Sequence, residues 1–476
     1  MRVAVIDLGK TNAKLAWVDT CAAVELAVRT MPSPVLGGPP YPHLDTVALE
    51  TFIVDALREG GPVEAITVTT HGATVALLDS EGELALPVLD YEHTGPDTLA
   101  DAYDAARSPF ERTGSPRLPG GLNVGAQLFW QRHAFPDAFA RVRTVLTWPQ
   151  YWVFRLCGER VNDPSSLGAH TDLHEPATGG PSSLVEQQGW TALMPPVGRS
   201  GERLGTLGAR MVERTGLAGT TAVHVGIHDS NASLVPHLLT RPEPFSVVST
   251  GTWVIAMVVG GEPVALDETR DTLVNVDAFG RPVPSARFMG GREYALLTGR
   301  RGEASLRSST PASTDLLSRL ADASAWLLPA TVPGTGPFPD DVAEWTVERS
   351  GLDERFGAGA VDSVIAGYLA GMTLIGMGLA GAAGETVVEG PFAQNENYLQ
   401  ALAAGTGRAL LLSSSRTGTS IGAAMLIGSP AAPLQTRTLD AEPELAAAWR
   451  RYLGGWHDAV AARREHSVRV EQGPDP

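Results

Sequence analysis

Cysteine and lysine are scarce in this chain of 476 residues. The two cysteines, Cys21 and Cys157, show neither a CxxC spacing nor neighbouring histidines. This pattern excludes a disulfide-rich scaffold and a cysteine-rich zinc site, and it is typical of a reducing cytoplasm, which we predict as the location. The apolar run at the amino terminus is interrupted by Asp7. It is therefore too short for the hydrophobic region of a signal peptide.

Positive charge is also in short supply. The chain has 53 acidic and 36 basic residues and a formal net charge of −17. It has no overall electrostatic attraction to nucleic acid or to an anionic membrane, so we predict neither as a partner. Any phosphate group must be bound by local contacts. The length allows two to four domains of the usual ~100–200 residues.

One long uncharged segment, residues 363–384, has the length of a membrane-spanning helix. Six glycines dilute its apolar character, and no cluster of basic residues flanks it. Membrane helices usually carry such flanking charges on one side. We therefore predict a buried helix whose glycines allow close approach of other elements, and no membrane partner.

Two segments share a strand–turn–strand pattern. Residues 3–18 place Gly9 in a polar turn between two apolar runs, and residues 245–257 repeat the arrangement around Gly251. Two such hairpins, one in each half of the chain, indicate an internal duplication. We expect two similar subdomains that face each other, with the functional site in the cleft between them.

Both lysines, Lys10 and Lys14, flank the first of these turns. An ammonium group is compact whereas a guanidinium group is wide, so a crowded phosphate-binding turn can admit lysine and exclude arginine. The Gly-Lys-Thr sequence of this turn resembles the end of a P-loop, but Ala4 stands where that motif requires glycine and an extended run follows. A P-loop is therefore excluded. The charge of Lys10 leaves two interpretations open, contact with a phosphate or pairing with Asp7.

Polar residues follow several predicted strands. Residues 66–70 form a β-branched run that ends at His71, and residues 222–227 form a run that leads into Asp229 and a predicted helix. Asp229 has two open interpretations, a cap of that helix or a functional carboxylate. The acidic cluster around Asp90 is equally open to interpretation as a sugar-binding group or as a solvated loop.

A break in the apolar pattern at residues 240–244 predicts a domain boundary, because two prolines and two charged residues occur there. Strand-like and helix-like runs alternate on both sides, which is typical of an α/β fold. We predict an N-terminal domain over 1–240, a C-terminal domain over 245–430, and a helical extension with a tail over 431–476.

Taken in order, these motifs resemble the FGGY family of carbohydrate kinases, which shares a superfamily with actin, hexokinase and the heat-shock chaperone ATPases. The resemblance covers about residues 1–430. Residues 7–12 resemble the first phosphate loop of the family and residues 249–253 the second. Residues 228–229 resemble its catalytic turn, and residues 390–400 its adenosine-binding segment. The rhamnulokinase and fuculokinase branch is the most similar.

The resemblance implies an α/β protein of two actin-like (ribonuclease H-like) domains with a cleft between them. It also implies an ATP- and Mg²⁺-dependent enzyme that transfers the γ-phosphate to a hydroxyl of a ketose or polyol. The implied partner is a small-molecule sugar, and a homodimer is left open. An alternative also stays open, namely a non-catalytic or sugar-independent ATP-binding protein of the same superfamily.

The resemblance also implies residue roles. Asp229 is the expected catalytic base, and Asp7 is expected to hold Mg²⁺ through water. The expected sugar-binding residues are His71, Gly72, Asp90, Glu92, Gln127 and His228. The expected nucleotide-binding residues are Gly9, Lys10, Thr11, Asn12, Thr250, Gly251, Thr252, Gly390, Asn395 and Gln400. The sequence departs from the family at Pro391, where paired glycines are usual, and at Lys10, where many relatives carry a small or hydroxyl residue.

Overall fold

The computed structural model describes residues 1–299, 310–413, 418–428 and 436–471. These residues form two compact units. The first unit comprises Met1–Arg241, Leu273–Val283 and the described part of Thr417–Leu434. The second unit comprises the described parts of Pro242–Thr272, Pro284–Arg416 and Gln435–Pro476. This division differs from the predicted one, because residues 273–283 and 418–428 return to the first unit and the C-terminal segment belongs to the second.

The described residues contain 23 β-strands. They are β1 (Arg2–Leu8), β2 (Asn12–Asp19), β3 (Val24–Pro32), β4 (Val35–Leu36), β5 (His43–Leu44), β6 (Ala65–Thr70), β7 (Val75–Leu78), β8 (Leu84–Leu86), β9 (Thr144–Thr147), β10 (His174–Glu175), β11 (Gly180–Pro181), β12 (Arg203–Thr206), β13 (Ala222–His224), β14 (Ile227–His228), β15 (Phe245–Thr250), β16 (Val254–Val259), β17 (Thr272–Val276), β18 (Pro282–Phe288), β19 (Leu327–Leu328), β20 (Glu344–Trp345), β21 (Glu385–Glu389), β22 (Leu410–Ser413) and β23 (Thr436–Leu439).

The same residues contain 17 α-helices. They are α1 (Thr46–Gly60), α2 (Ala100–Ala106), α3 (Phe110–Thr113), α4 (Val124–Ala134), α5 (Pro136–Phe139), α6 (Trp148–Cys157), α7 (Pro164–Leu167), α8 (Ser183–Gln187), α9 (Ala209–Thr215), α10 (Asp229–Thr240), α11 (Gly290–Thr298), α12 (Thr314–Asp322), α13 (Leu352–Phe356), α14 (Ala360–Leu379), α15 (Glu396–Thr406), α16 (Gly418–Met425) and α17 (Pro443–Glu471).

The main sheet of the first unit follows the order β12-β13-β6-β1-β2-β3, and β14 also pairs with β6. β1 and β2 form the predicted hairpin, which is confirmed, and its register pairs Asp7 with Lys14. β6 runs parallel to both β1 and β14, with Asp7 beside Thr69 and His228 beside Thr70. Because these three strands are parallel, their carboxyl ends lie at the same edge of the sheet.

Both faces of this sheet are buried, as the residues of β1 illustrate. Ile6 and Leu8 pack with Trp148 and other residues in a core on one face. Val5 packs with residues of α10 and α16 in a core on the other face, where Ile421 is one of its neighbours. Alternate strand residues point to opposite faces, so an uninterrupted apolar run is what a strand covered on both sides requires.

Six neighbouring strands of the second unit follow the order β18-β16-β15-β21-β22-β23. β15 and β16 form the second predicted hairpin, which is also confirmed. β15 is parallel to β21, and their register places Ser249 beside Glu389. The turn that follows Thr250 and the turn that begins at Gly390 therefore share one edge of this sheet.

The uncharged segment predicted as a buried helix forms α14, which ends at Leu379 and packs inside the second unit. This helix is long and apolar enough to cross a membrane, but most of its side chains are buried. Two of its glycines lie against aromatic rings of α17. A Cβ atom on Gly367 would stand 2.5 Å from the ring of Tyr452, and one on Gly371 would stand 2.5 Å from the ring of Trp456. Glycine is required at both positions because there is no room for a side chain.

Candidate active site

Three polar segments follow the parallel strands β1, β6 and β14 at one edge of the first sheet. Asp7 lies near the end of β1, His71 follows β6, and Asp229 follows β14 as the first residue of α10. The strand register brings these positions together although they are far apart in the chain. In open parallel sheets this edge is the usual place for ligand binding.

The carboxylate of Asp229 is accessible and held on one side. Its Oδ1 atom accepts a hydrogen bond from the backbone N–H of Ser230 at 2.6 Å and lies 3.3 Å from Nε2 of His228. The side chain is 30% exposed. Because Asp229 stands one position inside the helix, His228 occupies the cap position. The amino terminus of the 12-residue helix favours a negative charge at this place.

Asp7 is a largely buried carboxyl group next to Lys14. Burial raises the pKa of Asp7 to about 7, the nearby charge of Asp229 adds to the rise, and the ammonium group of Lys14 opposes it. The distance from Lys14 Nζ to Asp7 Oδ2 is 3.8 Å. The predicted alternative in which Lys10 pairs with Asp7 is therefore wrong. In an antiparallel hairpin the register partner of Asp7 is Lys14, whereas Lys10 lies in the turn.

His71 and His228 surround Gly72. His71 Nδ1 lies 2.9 Å from the backbone oxygen of Gly72, so this nitrogen donates and Nε2 is the acceptor of the neutral ring. Burial lowers the pKa of His71, which keeps the ring neutral. A Cβ atom on Gly72 would stand 2.9 Å from Nε2 of His228. Gly72 thus leaves space for the ring of His228, and this position has no room for a side chain.

Lys10 contacts the acidic cluster that follows β8. Its Nζ atom forms an ion pair with Asp90, lies 3.4 Å from Oε2 of Glu92, and stands 4.8 Å from the ring centroid of Tyr91. The ring of Tyr91 in turn contacts the ring of His71, with 5.5 Å between their centroids. Lys10 therefore joins the predicted phosphate turn to the predicted sugar-binding residues. The sequence had suggested other partners for Lys10, namely a phosphate group or Asp7.

Gln127, on α4, lies under the same cluster. Its Nε2 atom donates to the backbone oxygens of Ala73, at 2.6 Å, and of Gly121. Both amide hydrogens are therefore used to hold the surrounding loops. The buried Oε1 atom has no hydrogen-bond partner within the described ranges. Gln127 Oε1 is thus a buried acceptor without a partner among the described residues, which is uncommon in folded proteins.

The predicted phosphate turn is closed by backbone contacts. Gly9 N–H donates to the carbonyl of Asn12 at 3.0 Å. Ser33 donates its side-chain hydroxyl to the carbonyl of Gly9 at 2.7 Å. Thr11 and Asn12 are exposed at the tip of the turn. Their side-chain donors are therefore accessible to an anion, whereas the Gly9 amide is already used.

The second predicted phosphate turn, in the second unit, separates into internal and exposed groups. The hydroxyl of Thr250 donates to the Glu389 carbonyl at 2.6 Å and accepts from Phe392 N–H at 3.0 Å. The N–H of Gly251 donates to the Trp253 carbonyl at 2.8 Å. Thr252 is exposed. The side chain of Thr250 thus holds the edge of the sheet, and Thr252 is the accessible member of the turn.

The predicted adenosine segment begins with a glycine that the fold requires. Gly390 has a φ of 83°, and a Cβ atom there would stand 2.0 Å from the carbonyl oxygen of Thr250. Pro391 begins a short 3-10 turn, where its fixed φ is favourable. Asn395 is buried, and its side chain caps α15 by accepting from Tyr398 N–H at 3.1 Å. Gln400 lies on α15 with an Oε1 atom that is buried and unpaired among the described residues.

The sequence interpretation missed several residues that complete this geometry. Tyr91, Lys14 and Asn231 were not assigned roles, yet Tyr91 lies between Lys10 and His71. Asn231 contacts His228 Nδ1 through its amide nitrogen at 3.0 Å. The hairpin register gives a sequence signal for Lys14, and the spacing of three residues on a helix gives one for Asn231. Tyr91 carries no such signal, because its contacts are to distant positions.

The carboxyl group of Asp7 is compatible with a magnesium ion that takes most of its ligands from water and from substrate phosphates. Among the described residues, no group of three or more His, Cys, Asp or Glu side chains could hold a metal ion. Mg²⁺ does not need such a cage, because it keeps several waters and is usually bound by one or two carboxylates together with substrate phosphates. Asp7 is suited to this role, since its burial makes ionisation costly without a neighbouring cation.

Comparison with known proteins identifies carbohydrate kinases as relatives of this chain. The family model described as the C-terminal domain of FGGY carbohydrate kinases matches residues 242–436. The L-fuculokinase of Salmonella typhi is 30% identical over 210 residues, which cover 42% of this chain and 42% of that protein. The rhamnulokinase of Bacteroides thetaiotaomicron is 25% identical over 282 residues, 56% of each chain. The chain thus spans about half the length of these curated relatives.

Solved structures match over nearly the whole chain. A carbohydrate kinase from Novosphingobium aromaticivorans is 35% identical, with a TM-score of 0.87, and the match covers 97% of this chain and 99% of that one. The ligand-bound xylulose kinase from Lactobacillus acidophilus, at 12% identity and a TM-score of 0.78, shares the fold over 97% of this chain and 98% of its own. The predicted α/β fold and the predicted family are confirmed, and the chain belongs to the FGGY family of carbohydrate kinases.

Proposed function

We propose that this protein transfers the γ-phosphoryl group of ATP to a hydroxyl group of a ketose or polyol. The observation that carries the proposal is the meeting of Asp7, His71 and Asp229 at one strand edge of the first unit. The turn with the exposed residues Thr11 and Asn12 follows Asp7, and the polar side chains around Asp90 lie next to this turn. Phosphoryl transfer requires positioning, neutralisation of phosphate charge, and a group that accepts the proton of the attacking hydroxyl.

Asp229 is the proposed general base. Its Oδ1 atom is occupied by Ser230 N–H and faces His228. Within the part of the chain that the structure describes, no donor contacts Oδ2, so this atom can take the proton. As the substrate oxygen bonds to the γ-phosphorus, the bond from phosphorus to the bridging oxygen breaks and ADP leaves. The proton passes from the hydroxyl group to the carboxylate and afterwards to solvent.

The sugar is proposed to contact the group formed by His71, Asp90, Glu92, Gln127 and His228. The neutral ring of His71 supplies an acceptor at Nε2, and Gln127 supplies a second acceptor at Oε1. Carboxylate oxygens of Asp90 and Glu92 are further acceptors for hydroxyl groups. A pocket of several acceptors suits a neutral polyhydroxy compound. Gly72 contributes by leaving space for the ring of His228.

Nucleotide contacts are proposed for the exposed groups of each unit. In the first unit these are Thr11 and Asn12, and in the second unit Thr252. Gln400, whose buried Oε1 atom lacks a hydrogen-bond partner among the described residues, is proposed as a further contact. Asp7 would hold Mg²⁺, which neutralises phosphate charge when it is bound. Gly9, Gly251 and Gly390 shape the turns, and Thr250 and Asn395 hold them, so we assign these residues supporting roles. We further propose a cytoplasmic location, where free thiols such as Cys21 stay reduced.

A coupled ADP-release assay with a panel of ketoses, pentuloses and polyols tests the proposal. We expect turnover that depends on both ATP and one class of sugar, with phosphate incorporated into that sugar. Asp229→Asn should lower kcat by several orders of magnitude and leave ATP binding nearly unchanged. Asp137→Asn, at an exposed position on α5, is the matched control and should behave like the parent protein.

Each result of this assay decides between the functions. Sugar-dependent phosphate transfer supports the kinase proposal. ATP hydrolysis that no sugar accelerates would replace it with a sugar-independent ATPase, and ATP binding without turnover would replace it with a non-catalytic nucleotide-binding protein. Undiminished transfer by Asp229→Asn would remove Asp229 from the mechanism.

A further inference from the structure

A buried carboxylate lies behind the turn that carries the proposed base. Asp163 has no exposed surface and caps the short helix α7 by accepting from Ser166 N–H at 3.0 Å. It also accepts from Gln150 Nε2 at 3.0 Å, from the hydroxyl of Ser165, and from the hydroxyl of Thr147 at 3.4 Å. A buried carboxylate needs such donors, because an unpaired charge in the interior is very costly.

The first branch from this carboxylate leads to the backbone of His228. Ser165 has a single hydroxyl hydrogen, and an ionised carboxylate can only accept, so this hydrogen points to Asp163. The oxygen of Ser165 is then left with its lone pairs, and it accepts from the N–H of His228 at 3.0 Å. The donor and acceptor of each hydrogen bond in this branch are thereby fixed. His228, the residue directly before Asp229, donates to Ser165, and Ser165 donates to Asp163.

The second branch leads to the backbone two residues earlier. Because Nε2 of Gln150 donates to Asp163, its Oε1 atom is the acceptor, and it takes the N–H of Gly226 at 3.2 Å. A Cβ atom on Gly226 would stand 2.6 Å from the backbone oxygen of Val68. The segment therefore passes tightly between β6 and these side chains, and both of its ends are tied to one carboxylate.

We propose that a relay of three buried side chains, in which Asp163 acts through Ser165 and Gln150, positions the Asp229 carboxylate for proton transfer. These residues do not touch the reacting atoms, and they act by fixing the backbone from Gly226 to His228. All three side chains are fully buried, so water does not replace their hydrogen bonds. This inference rests on the proposed role of Asp229 as the base.

Ser165→Ala tests the proposal, and Ser166→Ala is the matched control. Ser166 lies next in the same helix, and its hydroxyl is buried without a hydrogen-bond partner among the described residues. We expect Ser165→Ala to lower kcat about 10- to 100-fold, because a misplacement of about 1 Å can cost about 10²-fold in rate. The KM for ATP should change by less than about twofold, and Ser166→Ala should match the parent protein.

A double variant separates positioning from general damage. In the Asp229→Asn background, adding Ser165→Ala should cause no further loss of the residual transfer rate, because the relay acts through the carboxylate that is already absent. Gln150→Met removes the other branch and should also lower kcat with little change in KM. This second variant keeps the proposal testable if Ser165→Ala does not fold.

The outcomes distinguish this proposal from the proposed function. If Asp229→Asn is inactive while Ser165→Ala and Gln150→Met have the kcat of Ser166→Ala, the relay is refuted and the base assignment stands. A further loss of rate in the double variant also refutes the relay. If Asp229→Asn keeps full activity, the base assignment fails and the relay fails with it.

Discussion

Glu293 is a buried carboxyl group that makes the stability of the second unit depend on pH, and Glu293→Gln is expected to remove that dependence. The side chain lies on α11 with no exposed surface. Its Oε2 atom accepts from the hydroxyl of Tyr368 at 2.9 Å, and its Oε1 atom accepts from Val332 N–H at 3.2 Å. Burial raises the pKa of Glu293 to about 7, and these hydrogen bonds oppose part of the rise.

The size of the effect follows from the difference in proton affinity between the folded and the unfolded chain. The ordinary pKa of the group is 4.5. Between that value and about 7, folded Glu293 holds a proton that the unfolded chain has released. The free energy of unfolding therefore falls as the pH rises through this window, by up to ~1.4 kcal/mol per pH unit and about 3 kcal/mol in total. Below the window the contribution is fully present, and above it the loss is complete.

Urea unfolding between pH 4.5 and 8 measures this effect, and hydrogen-exchange mass spectrometry of peptides around Val332 assigns the transition to the second unit. The glutamine side chain of Glu293→Gln is uncharged at every pH in this range. The free energy of unfolding of the variant minus that of the parent protein should therefore increase by about 3 kcal/mol from pH 4.5 to 7 and then stay constant. Glu354→Gln removes an exposed carboxylate of the same unit. Its stability should follow that of the parent protein across this range.

A constant difference between Glu293→Gln and the parent protein over the whole pH range would refute this reasoning. It would mean that Glu293 titrates in the folded state near its ordinary pKa. An advantage that grows equally in Glu354→Gln would refute it too, because the pH dependence would then come from net charge.

Two further predictions concern the candidate active site. Gly72→Ala should lower kcat by at least about 10-fold, because its Cβ atom would stand 2.9 Å from His228 Nε2. The control Gly219→Ala, whose Cβ atom would stand 3.7 Å from its nearest neighbour, should keep the kcat of the parent protein. Equal kcat values for the two variants in steady-state assays would contradict the close approach. Lys10→Met should raise the KM for sugar about 10-fold and the KM for ATP by a smaller factor, because the ammonium group of Lys10 pairs with Asp90. A larger effect on the KM for ATP would instead favour a contact between Lys10 and a phosphate group.

Local patterns were sufficient for much of the fold. The two hairpins could be predicted because an apolar run, a glycine turn and a second apolar run encode a strand pair within about 15 residues. The turn at Asp229 was visible for a similar reason, since a strand leads directly into a helix there. Such signals depend on neighbours in the chain, and they do not require knowledge of distant contacts.

Distant contacts set the parts that could not be predicted. Lys10 and Asp90 are 80 positions apart, so no periodicity connects them. The segment that contains Glu293 has no sequence pattern that distinguishes an exposed loop from a cleft-facing turn, but tertiary packing buries this carboxyl group completely. The return of residues 273–283 to the first unit has the same cause, because an apolar run carries no record of which core it joins.

The packing of α17 against α14 means that residues synthesised more than 70 positions later cover one face of the apolar helix. The ribosome delivers α14 before Tyr452 and Trp456, whose rings cover its glycines in the finished protein. Until those residues emerge, the face of α14 that carries Gly367 and Gly371 lacks its aromatic cover. A chain truncated before Pro443 would therefore expose this apolar face, and exposed apolar surface promotes aggregation.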